Sequence, residues 1–344
     1  LDCSRFFFYL GKNRMKPEFI FAPEISPDYL TDESRLAGKA DSLSFPADTD
    51  ELAVTVRLLA EQRIPLCVQG ARTGITGGAV PEGGHILNLS RMSRIVGMVH
   101  DPERGSFEIT AQAGVTLAEL RERIRTKEFD PAGFSDRSRH ALDAFRREGE
   151  WFFPPDLTET SATLGGMASC NASGVRSYRY GPMRRHVTGL RLVFANGDSV
   201  FLSRGAVRSH GRSFVLTADS GNTYSGTLPS YTFPSAKNAA GYYTGENIDL
   251  LDLFIGQEGT LALIAELTVR LLPRVPADIG ILFFFHTENQ AVSFVDAVRR
   301  LNKSGSAVPV AMEYFDEGSL SLLRSRGPDD LPAIDPAHTA AVYI

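Results

Sequence analysis

Cysteine is scarce: three residues in 344, Cys3, Cys67 and Cys170, far apart and odd in number. They make no disulfide framework, and a reducing cytoplasm is the compartment expected. No pair of cysteines or histidines stands at metal-ligand spacing, and the seven histidines are scattered singly, so no metal site is expected from the residues present. Long apolar runs are missing too. The runs "RFFFYL" (5–10) and "ILFFF" (281–285) are far shorter than the roughly 20 residues of a membrane span. A basic excess is also missing. The 36 Lys and Arg against 41 Asp and Glu give a net charge of −5, which argues against a nucleic-acid surface. No polybasic stretch offers itself to an anionic membrane. No Gly-Lys is followed by Ser or Thr: Gly11-Lys12 and Gly38-Lys39 lead into Asn13 and Ala40, which excludes the phosphate loop of nucleoside triphosphatases.

What is present is the composition of an ordinary globular protein, 43% hydrophobic and 22% charged, in a chain long enough for two domains. The first thirty residues show no period and carry three prolines, reading as an irregular arm. Asp48 or Thr49 is placed to cap a helix in which Asp50 and Glu51 suit the first turn and Leu52, Val56 and Leu59 recur at helical spacing. "IPLCV" (64–68) reads as a strand, as do "HILNLS", "RIVGMVH" and the alternating "SFEITAQAGV". Thr116 and Glu119 form a capping box ahead of "LAELRERI". Residues 126–150, charged and weakly periodic, read as an exposed excursion. "HVTGLRLVFANGDSVFL" (186–202) is two strands about Asn196-Gly197, a hairpin signal. Pro273 and Pro276 mark a boundary. Beyond it "GILFFFHTENQ", "AVSFVDAVRRLNK" and "VPVAMEYFDEG" read as strand, helix and strand. The chain opens on Leu1 and stops at "TAAVYI", which reads as a strand in mid-course, so a longer polypeptide is expected.

Three glycine-rich regions punctuate this pattern. "VQGARTGITGG" (68–78) puts four glycines and two threonines into eleven residues. Removing side chains lets a ligand lie against the main chain, and amides in such a loop can converge on an anion. A tight turn is the other reading of this loop taken alone. It supplies Gly74-Ile75-Thr76-Gly77-Gly78 and never Gly-x-Gly, and strands rather than a helix follow, so it is not a Rossmann turn. The second region, "FFPPDLTETSATLGGMASCNASGVRSYRYG" (152–181), is dominated by small residues from Ser161 to Gly174, which suits a backbone lying along a ligand. The third, "LFIGQEGTLALIAELTVRLLP" (253–273), is a glycine loop feeding a long strand pattern.

Together the three regions resemble the FAD domains of the p-cresol methylhydroxylase/vanillyl-alcohol oxidase superfamily of FAD-linked oxidases. "PLCVQGARTGITGGAVPEGGHILNLSRMSRI" (65–95) is similar to their pyrophosphate loop, usually Arg-Gly-Gly-Gly-Thr, a small-residue run, Pro, Gly-Gly and a strand ending Asp-Leu-Ser. "PPD", "SATLGG", "NASG" and "RYG" follow in family order. "FIGQEGTLALIAELTVRLLP" is similar to the Gly-Ser-Glu-Gly-Thr-Leu-Gly-Ile block that closes the flavin site. "SRM", "KNAAGYYTGENIDLLDLFIGQEGT" (237–260) and "AMEYFD" (311–316) are most similar to the branch of D-lactate dehydrogenase, the glycolate oxidase catalytic subunit and D-2-hydroxyglutarate dehydrogenase. The resemblance implies an α+β fold. An N-terminal arm (1–44) would precede a p-cresol methylhydroxylase-type FAD-binding domain of two α+β subdomains (45–274). The truncated start of an α+β substrate-binding cap, opening β-α-β, would follow (275–344).

It also implies roles. Gln69, Gly70, Ala71, Arg72, Thr73, Gly74, Ile75, Thr76 and Gly77 would hold the FAD diphosphate, by backbone amides from Gly70 onward and the hydroxyls of Thr73 and Thr76. Pro155, Asp156, Ser161, Ala162, Thr163, Gly165 and Gly166 would wrap the flavin and ribityl side, with Asn171, Gly174 and Gly181 nearby. Val187 and Ile264 would meet the adenine or dimethylbenzene ends, core packing being the other reading of each. Glu258, Gly259 and Thr260 would close the site. Three departures stand out. The arginine of the loop has moved to position 72, facing either the diphosphate or solvent. Thr73 stands near the place where covalently flavinylated relatives carry histidine, so the FAD would be non-covalent. Met167 and Ser173 replace a common Asn and a common Gly.

The implied activity is that of an FAD-dependent dehydrogenase or oxidase acting on the CH-OH group of a small-molecule 2-hydroxy acid. Hydride would pass to the flavin while a base takes the hydroxyl proton. Electrons would leave to an acceptor such as an electron-transfer flavoprotein or a quinone, which would bring a cytoplasmic protein to the membrane periphery. The resemblance places the base and a divalent metal in a His-rich motif near the end of the cap, and no such motif occurs before Ile344; His286 and His338 are isolated in the sequence. Lys237 and Tyr242 are the catalytic candidates within the chain. A flavin-carrying electron-relay subunit and an alcohol or sugar oxidase of the same superfamily are the alternatives.

Overall fold

The computed structural model describes residues 17–239, 241–275, 279–305, 308–326 and 333–344. Cys3, the apolar run 5–10 and Pro276 lie outside the described residues. Contacts divide the chain into two compact units. The larger comprises Leu1–Phe153, Thr158–Ala172 and His186–Pro273; the smaller comprises Pro154–Leu157, Ser173–Arg185 and Arg274–Ile344.

The larger unit is built on two sheets. In the first, β1 (Ile20–Phe21), β2 (Ser42–Ser44), β3 (Leu66–Gln69) and β4 (His85–Asn88) take the order β1-β2-β4-β3. β4 runs parallel to both β2 and β3, and β1 is antiparallel to β2. One strand of this sheet, β1, therefore comes from the first thirty residues, which read as an irregular arm, and β2 follows shortly after them. Between β2 and β3 lies α1 (Thr49–Glu61), started by a reciprocal cap: the Asp48 side chain accepts from the Glu51 amide at 2.9 Å, and the Glu51 carboxylate accepts from the Ala47 amide at 2.8 Å.

The second sheet is antiparallel throughout. It joins β5 (Ile95–Asp101), β6 (Ser106–Gln112), β8 (Val187–Val193), β9 (Ser199–Ser203) and β12 (Leu263–Arg270) in the order β5-β6-β12-β8-β9. In the central β12 every residue except Glu266 and Arg270 is buried. Leu52 and Val56 of α1 pack with Leu87, Val193, Leu263 and Ala265 in one core. β8 and β9 close about Asn196-Gly197 with Gly197 at φ +81°, as the hairpin signal predicts. A two-strand pair, β7 (Trp151–Phe152) with β13 (Leu272–Pro273), and a separate hairpin, β10 (Ser213–Thr217) with β11 (Thr223–Thr227), complete the strands of this unit.

α2 (Leu117–Thr126) begins at its expected cap, Thr116, which accepts from the Glu119 amide at 3.1 Å. Residues 126–150, by contrast, are not an excursion. They hold α3 (Asp136–Arg147), capped by Ser135, whose Ala141, Leu142 and Phe145 are buried. Phe145 meets Phe107 of β6 edge-on at 5.2 Å. Four apolar residues among twelve, three of them buried, make too narrow a stripe for the helical period to show.

The smaller unit contains α5 (Ser177–Tyr180), β14 (Leu282–Phe285), α6 (Glu288–Ser304), β15 (Glu313–Phe315), α7 (Glu317–Arg326) and β16 (Ala340–Tyr343). β14 and β15 each pair antiparallel with β16, so they run parallel to one another with β16 between them: a split β-α-β unit. The strand expected over 308–318 is only three residues long. His286 and His338, isolated in the sequence, are stacked with ring centroids 4.8 Å apart. Among the described residues no helix is long and apolar enough to cross a membrane.

One buried group makes the first sheet sensitive to acid. His85 of β4 has no exposed surface and sits between two serines of β2, Ser42 Oγ at 2.8 Å from Nδ1 and Ser44 Oγ at 2.7 Å from Nε2. Burial pushes its pKa down to about 4. An unfolded chain takes up this proton near the ordinary 6.5, whereas the folded chain refuses it until about 4. Stability is therefore whole above pH 6.5 and is lost progressively down to 4, by on the order of 3 kcal/mol from this group. Urea unfolding across that range will show the loss. In His85→Gln, which keeps a side chain able to bond both serines but cannot titrate, the pH dependence will be correspondingly shallower.

Candidate functional site

The first glycine loop leaves β3 and returns at β4. Parallel strands need a long crossover, ordinarily a helix that satisfies its own backbone. Here residues 70–84 make it as a loop, and side chains secure its ends. Gln69 is fully buried; its Nε2 donates to the carbonyls of Tyr29 (2.8 Å) and Ala79 (2.7 Å), and its Oε1 accepts from Asn88 Nδ2 at 3.4 Å. Asn88 also donates to the Gly70 carbonyl at 3.3 Å. The middle of the loop is different. Among the described residues nothing accepts from any N–H group of residues 71–78, and the hydroxyls of Thr73 and Thr76 are likewise without a hydrogen bond. Eight consecutive amides left free by the fold are what an anion-binding loop presents. Arg72 lies in this run at φ +59° with its guanidinium 4.7 Å over the Tyr29 ring.

The second region carries α4 (Leu164–Ser169), and both other glycine loops rest on it. Thr163 caps α4, accepting from the Gly166 amide at 3.3 Å. A Cβ on Gly70 would fall 2.2 Å from the Thr163 hydroxyl, so the first loop starts hard against this cap. The amides of Leu164 and Gly165 donate to the carbonyls of Val115 and Ala113, each at 2.8 Å. At the far end of α4 the carbonyls of Ala168 and Ser169 accept from Gly256 and Glu258 of the third loop, each at 2.9 Å. A Cβ on Gly259 would lie 4.0 Å from Val68 of β3, which brings the third loop beside the first.

The third loop is held by a residue that motif reading passes over. Gln257 is buried, donates to the Ala262 carbonyl at 2.7 Å and accepts from the Leu261 amide at 2.8 Å. With this brace in place Glu258 and Gly259 take φ of +54° and +77°. Thr260 donates its hydroxyl proton to the Gln257 carbonyl, and so receives the hydrogen bond from Tyr242, 2.8 Å away. Of the two catalytic candidates, Tyr242 thus joins the third loop. Lys237 is exposed and makes no hydrogen bond or ion pair to the described residues.

The remaining predicted residues are distributed as follows. Ala71 and Gly77 are half-buried, while Gly74 and Thr76 are exposed and Ile75 is 77% exposed at the loop tip. Ser161 and Gly166 are exposed, Ala162 buried, and Asn171 buried at φ +47°. Val187 and Ile264 are buried in the second sheet but are not neighbours. Val187 pairs with Val269 and Ile264 with Leu192, five residues along β8, roughly 17 Å at strand rise. Pro155, Asp156, Gly174 and Gly181 belong to the smaller unit. There a Cβ on Gly174 would strike the Asp156 carbonyl oxygen at 1.8 Å, the Asp156 carboxylate pairs with Arg176 at 3.1 Å, and Gly181 has φ +82°. Tyr29, Asn88 and Gln257 were not foreseen. Each acts by tertiary contact; Asn88 and Gln257 stand inside two of the glycine-rich segments, but their side chains carry no local signal of what they hold, and Tyr29 stands in no pattern.

Residues 40–135 and 138–203 match the family model of an FAD binding domain. The chain contains an FAD-binding domain of the p-cresol methylhydroxylase type. The resemblance carried by the three glycine regions is borne out at that level. D-lactate dehydrogenase of Anaerostipes hadrus is 30% identical over 298 residues, 82% of this chain and 50% of that protein. Glycolate oxidase subunit GlcD of Bacillus subtilis is 25% identical over 294 residues, 85% and 49%. Mitochondrial D-2-hydroxyglutarate dehydrogenase of Danio rerio is 29% identical over 288 residues, 83% and 42%. A solved structure of alkyldihydroxyacetonephosphate synthase superposes with a TM-score of 0.61 at 16% identity, covering 90% of this chain and 49% of that one, and so shares the fold. The chain spans about half the length of the curated relatives it matches.

The close approach of α4 inside the FAD-binding domain can be tested sterically. A Cβ on Gly165 would sit 2.5 Å from the Ala113 Cβ and 3.0 Å from the Ala113 carbonyl oxygen, with no flexible side chain to yield. Gly165→Ala is expected to cost about 1–3 kcal/mol in chemical unfolding. Gly149→Ala, where a Cβ meets nothing within 4 Å, is expected to stay within about 0.5 kcal/mol of the parent protein.

Proposed function

We propose that this protein is a flavin-dependent oxidoreductase that dehydrogenates a small 2-hydroxy acid of the lactate, glycolate or 2-hydroxyglutarate kind. The observation that carries the cofactor half of this reading is the run of eight unpartnered amides at residues 71–78, set between parallel strands and against the Thr163 cap. A loop with free N–H groups, little side-chain bulk and a fixed base suits the diphosphate of a dinucleotide. The names of the relatives support the substrate half.

In this reading the amides of residues 71–77 and the hydroxyls of Thr73 and Thr76 hold the diphosphate. Ala162, Thr163 and Gly165 set the wall against which that loop starts, and Glu258, Gly259 and Thr260 form its neighbour. FAD held there would supply the oxidant, a hydride acceptor for the C2 hydrogen of the substrate. The attachment is non-covalent. The loop offers threonine at position 73, and Cys67, on the strand leading into it, is kept protonated, its thiol pushed up to about 11 by burial and by the carboxylate of Asp32. The hydroxyl proton needs a base, and neither candidate is assigned the role. Among the described residues nothing bonds to the Lys237 side chain, and the Tyr242 hydroxyl is committed to Thr260. Tyr242 is placed instead as a brace of the third loop. Among the described residues no group of three or more His, Cys, Asp or Glu could hold a metal ion. Scarce cysteine supports a reducing compartment, and a separate electron acceptor completes the turnover.

The natively purified protein is expected to be yellow, to release FAD into the supernatant on acid precipitation, and to bleach when mixed anaerobically with D-lactate, glycolate or D-2-hydroxyglutarate. Colour kept in the washed pellet would contradict non-covalent binding. A bound flavin that none of these acids bleaches would remove the hydroxy acid reading and favour an electron-relay subunit.

A further inference from the structure

Among the described residues Arg72 has no counter-charge. Its guanidinium makes no hydrogen bond or ion pair to the described residues, although the side chain is half-buried. The carboxylate of Asp32, on the arm beside the loop, is directed elsewhere, accepting from the amides of Ser34 at 2.9 Å and Ala79 at 3.4 Å. Withdrawing a charge from water without a partner is unfavourable, so a position like this is stable when an anion completes it. The backbone is committed as well. Arg72 adopts φ +59°, a conformation that L residues seldom take, and its carbonyl is pinned by the Glu33 amide at 3.2 Å.

The Tyr29 ring explains how the side chain is held. It lies under the guanidinium at 4.7 Å, meets Phe45 edge-on at 5.4 Å and packs on the core of Ile25, Leu43 and Ile86. Its carbonyl accepts from Gln69, the residue that closes the loop. A guanidinium stacked by its flat face keeps its N–H edge free for a bidentate bond to phosphate oxygens. We propose that Arg72 and Tyr29 form a cationic clamp on the diphosphate of the bound dinucleotide, Arg72 contacting the phosphate and Tyr29 acting as the positioning residue that presents it. This rests on the cofactor reading above and adds two things to it: the charge that complements the neutral loop amides, and a part for the arm strand region in cofactor binding.

The test follows release of FAD from the holoprotein by its recovered fluorescence, at low and high salt. Arg72→Ala is expected to weaken retention roughly 10- to 100-fold and to flatten the salt dependence, because a charge-assisted contact has been lost. Arg72→Lys, which keeps the charge without the planar fork, is expected to fall between. Tyr29→Phe, which keeps the ring, will behave as the parent protein. Tyr29→Leu will lose most of what Arg72→Ala loses, and combining the two will add little, since both remove one interaction. Unchanged retention and salt slope in Arg72→Ala would overturn the clamp while leaving the cofactor reading intact. Full Arg72 dependence in the Tyr29→Leu background would overturn the positioning role. A parent protein that binds no FAD would overturn the cofactor reading, and the clamp with it.

Discussion

The side-chain amide of Gln69 closes a loop that the backbone cannot close for itself. Residues 70–84 connect two parallel strands without a helix, so their peptide groups have no regular partners. From inside the sheet Gln69 reaches both the arm, at the Tyr29 carbonyl, and the returning limb, at the Ala79 carbonyl, while Asn88 ties down Gln69 and Gly70. All of this happens below the loop. The middle is left with its N–H groups free, and that division between a bonded base and an unbonded crest is what gives the first sheet a chemical use. Had the crest been satisfied internally, it would have been an ordinary turn.

A second constraint is steric. α4 is six residues long and rich in small side chains, and at Gly165 that bareness is required. Gly165 approaches Ala113 so closely that even a methyl group would intrude, which lets the start of α4 hydrogen-bond to residues 113–115 in the segment between β6 and α2. Its opposite end is then free to accept the amides of Gly256 and Glu258. One short helix thereby holds the first and third loops in register. The positive φ of Glu258 and Gly259 is sustained by Gln257 from below, and Tyr242 meets the same loop through Thr260.

How much of this could be read beforehand follows from the range of the interactions. α1, α2 and the β8–β9 hairpin were legible because Asp48, Thr116 and Asn196-Gly197 act on neighbours within a few residues. The three glycine regions were legible as a set, because a ligand-hugging backbone excludes side chains wherever it occurs. Their convergence on α4 was not, since Gly70 and Thr163 are far apart in the chain. Gln69 appeared among the cofactor residues, and the structure shows its side chain turned wholly inward to hold the loop. α3 escaped notice because only Ala141, Leu142 and Phe145 face inward. Tyr29 lay in a stretch without period. The order β14-β16-β15 was likewise invisible: the pattern announced strand, helix and strand, but not that a later strand lies between the first two.

The pinned base has an energetic consequence for any ligand of the crest. A flexible glycine loop that must order on binding loses conformational entropy at that moment, at roughly 1–2 kcal/mol for each residue fixed. Here the ends are already fixed by Gln69 and Asn88, Arg72 is held at its carbonyl by Glu33 and at its side chain by Tyr29, and Gly70 abuts Thr163. Much of the ordering therefore occurs on folding, where the cores around Leu43, Ile86 and Leu87 offset it, and less remains to be met by the ligand. The same arrangement ties ligand retention to the sheet beneath. His85 opens β4 directly after the loop returns, paired in register with Ser42 on one side and Leu66 on the other. Its folded form, held between Ser42 and Ser44, takes up a proton only near pH 4, so the strands that carry the loop contain an acid-sensitive group of their own.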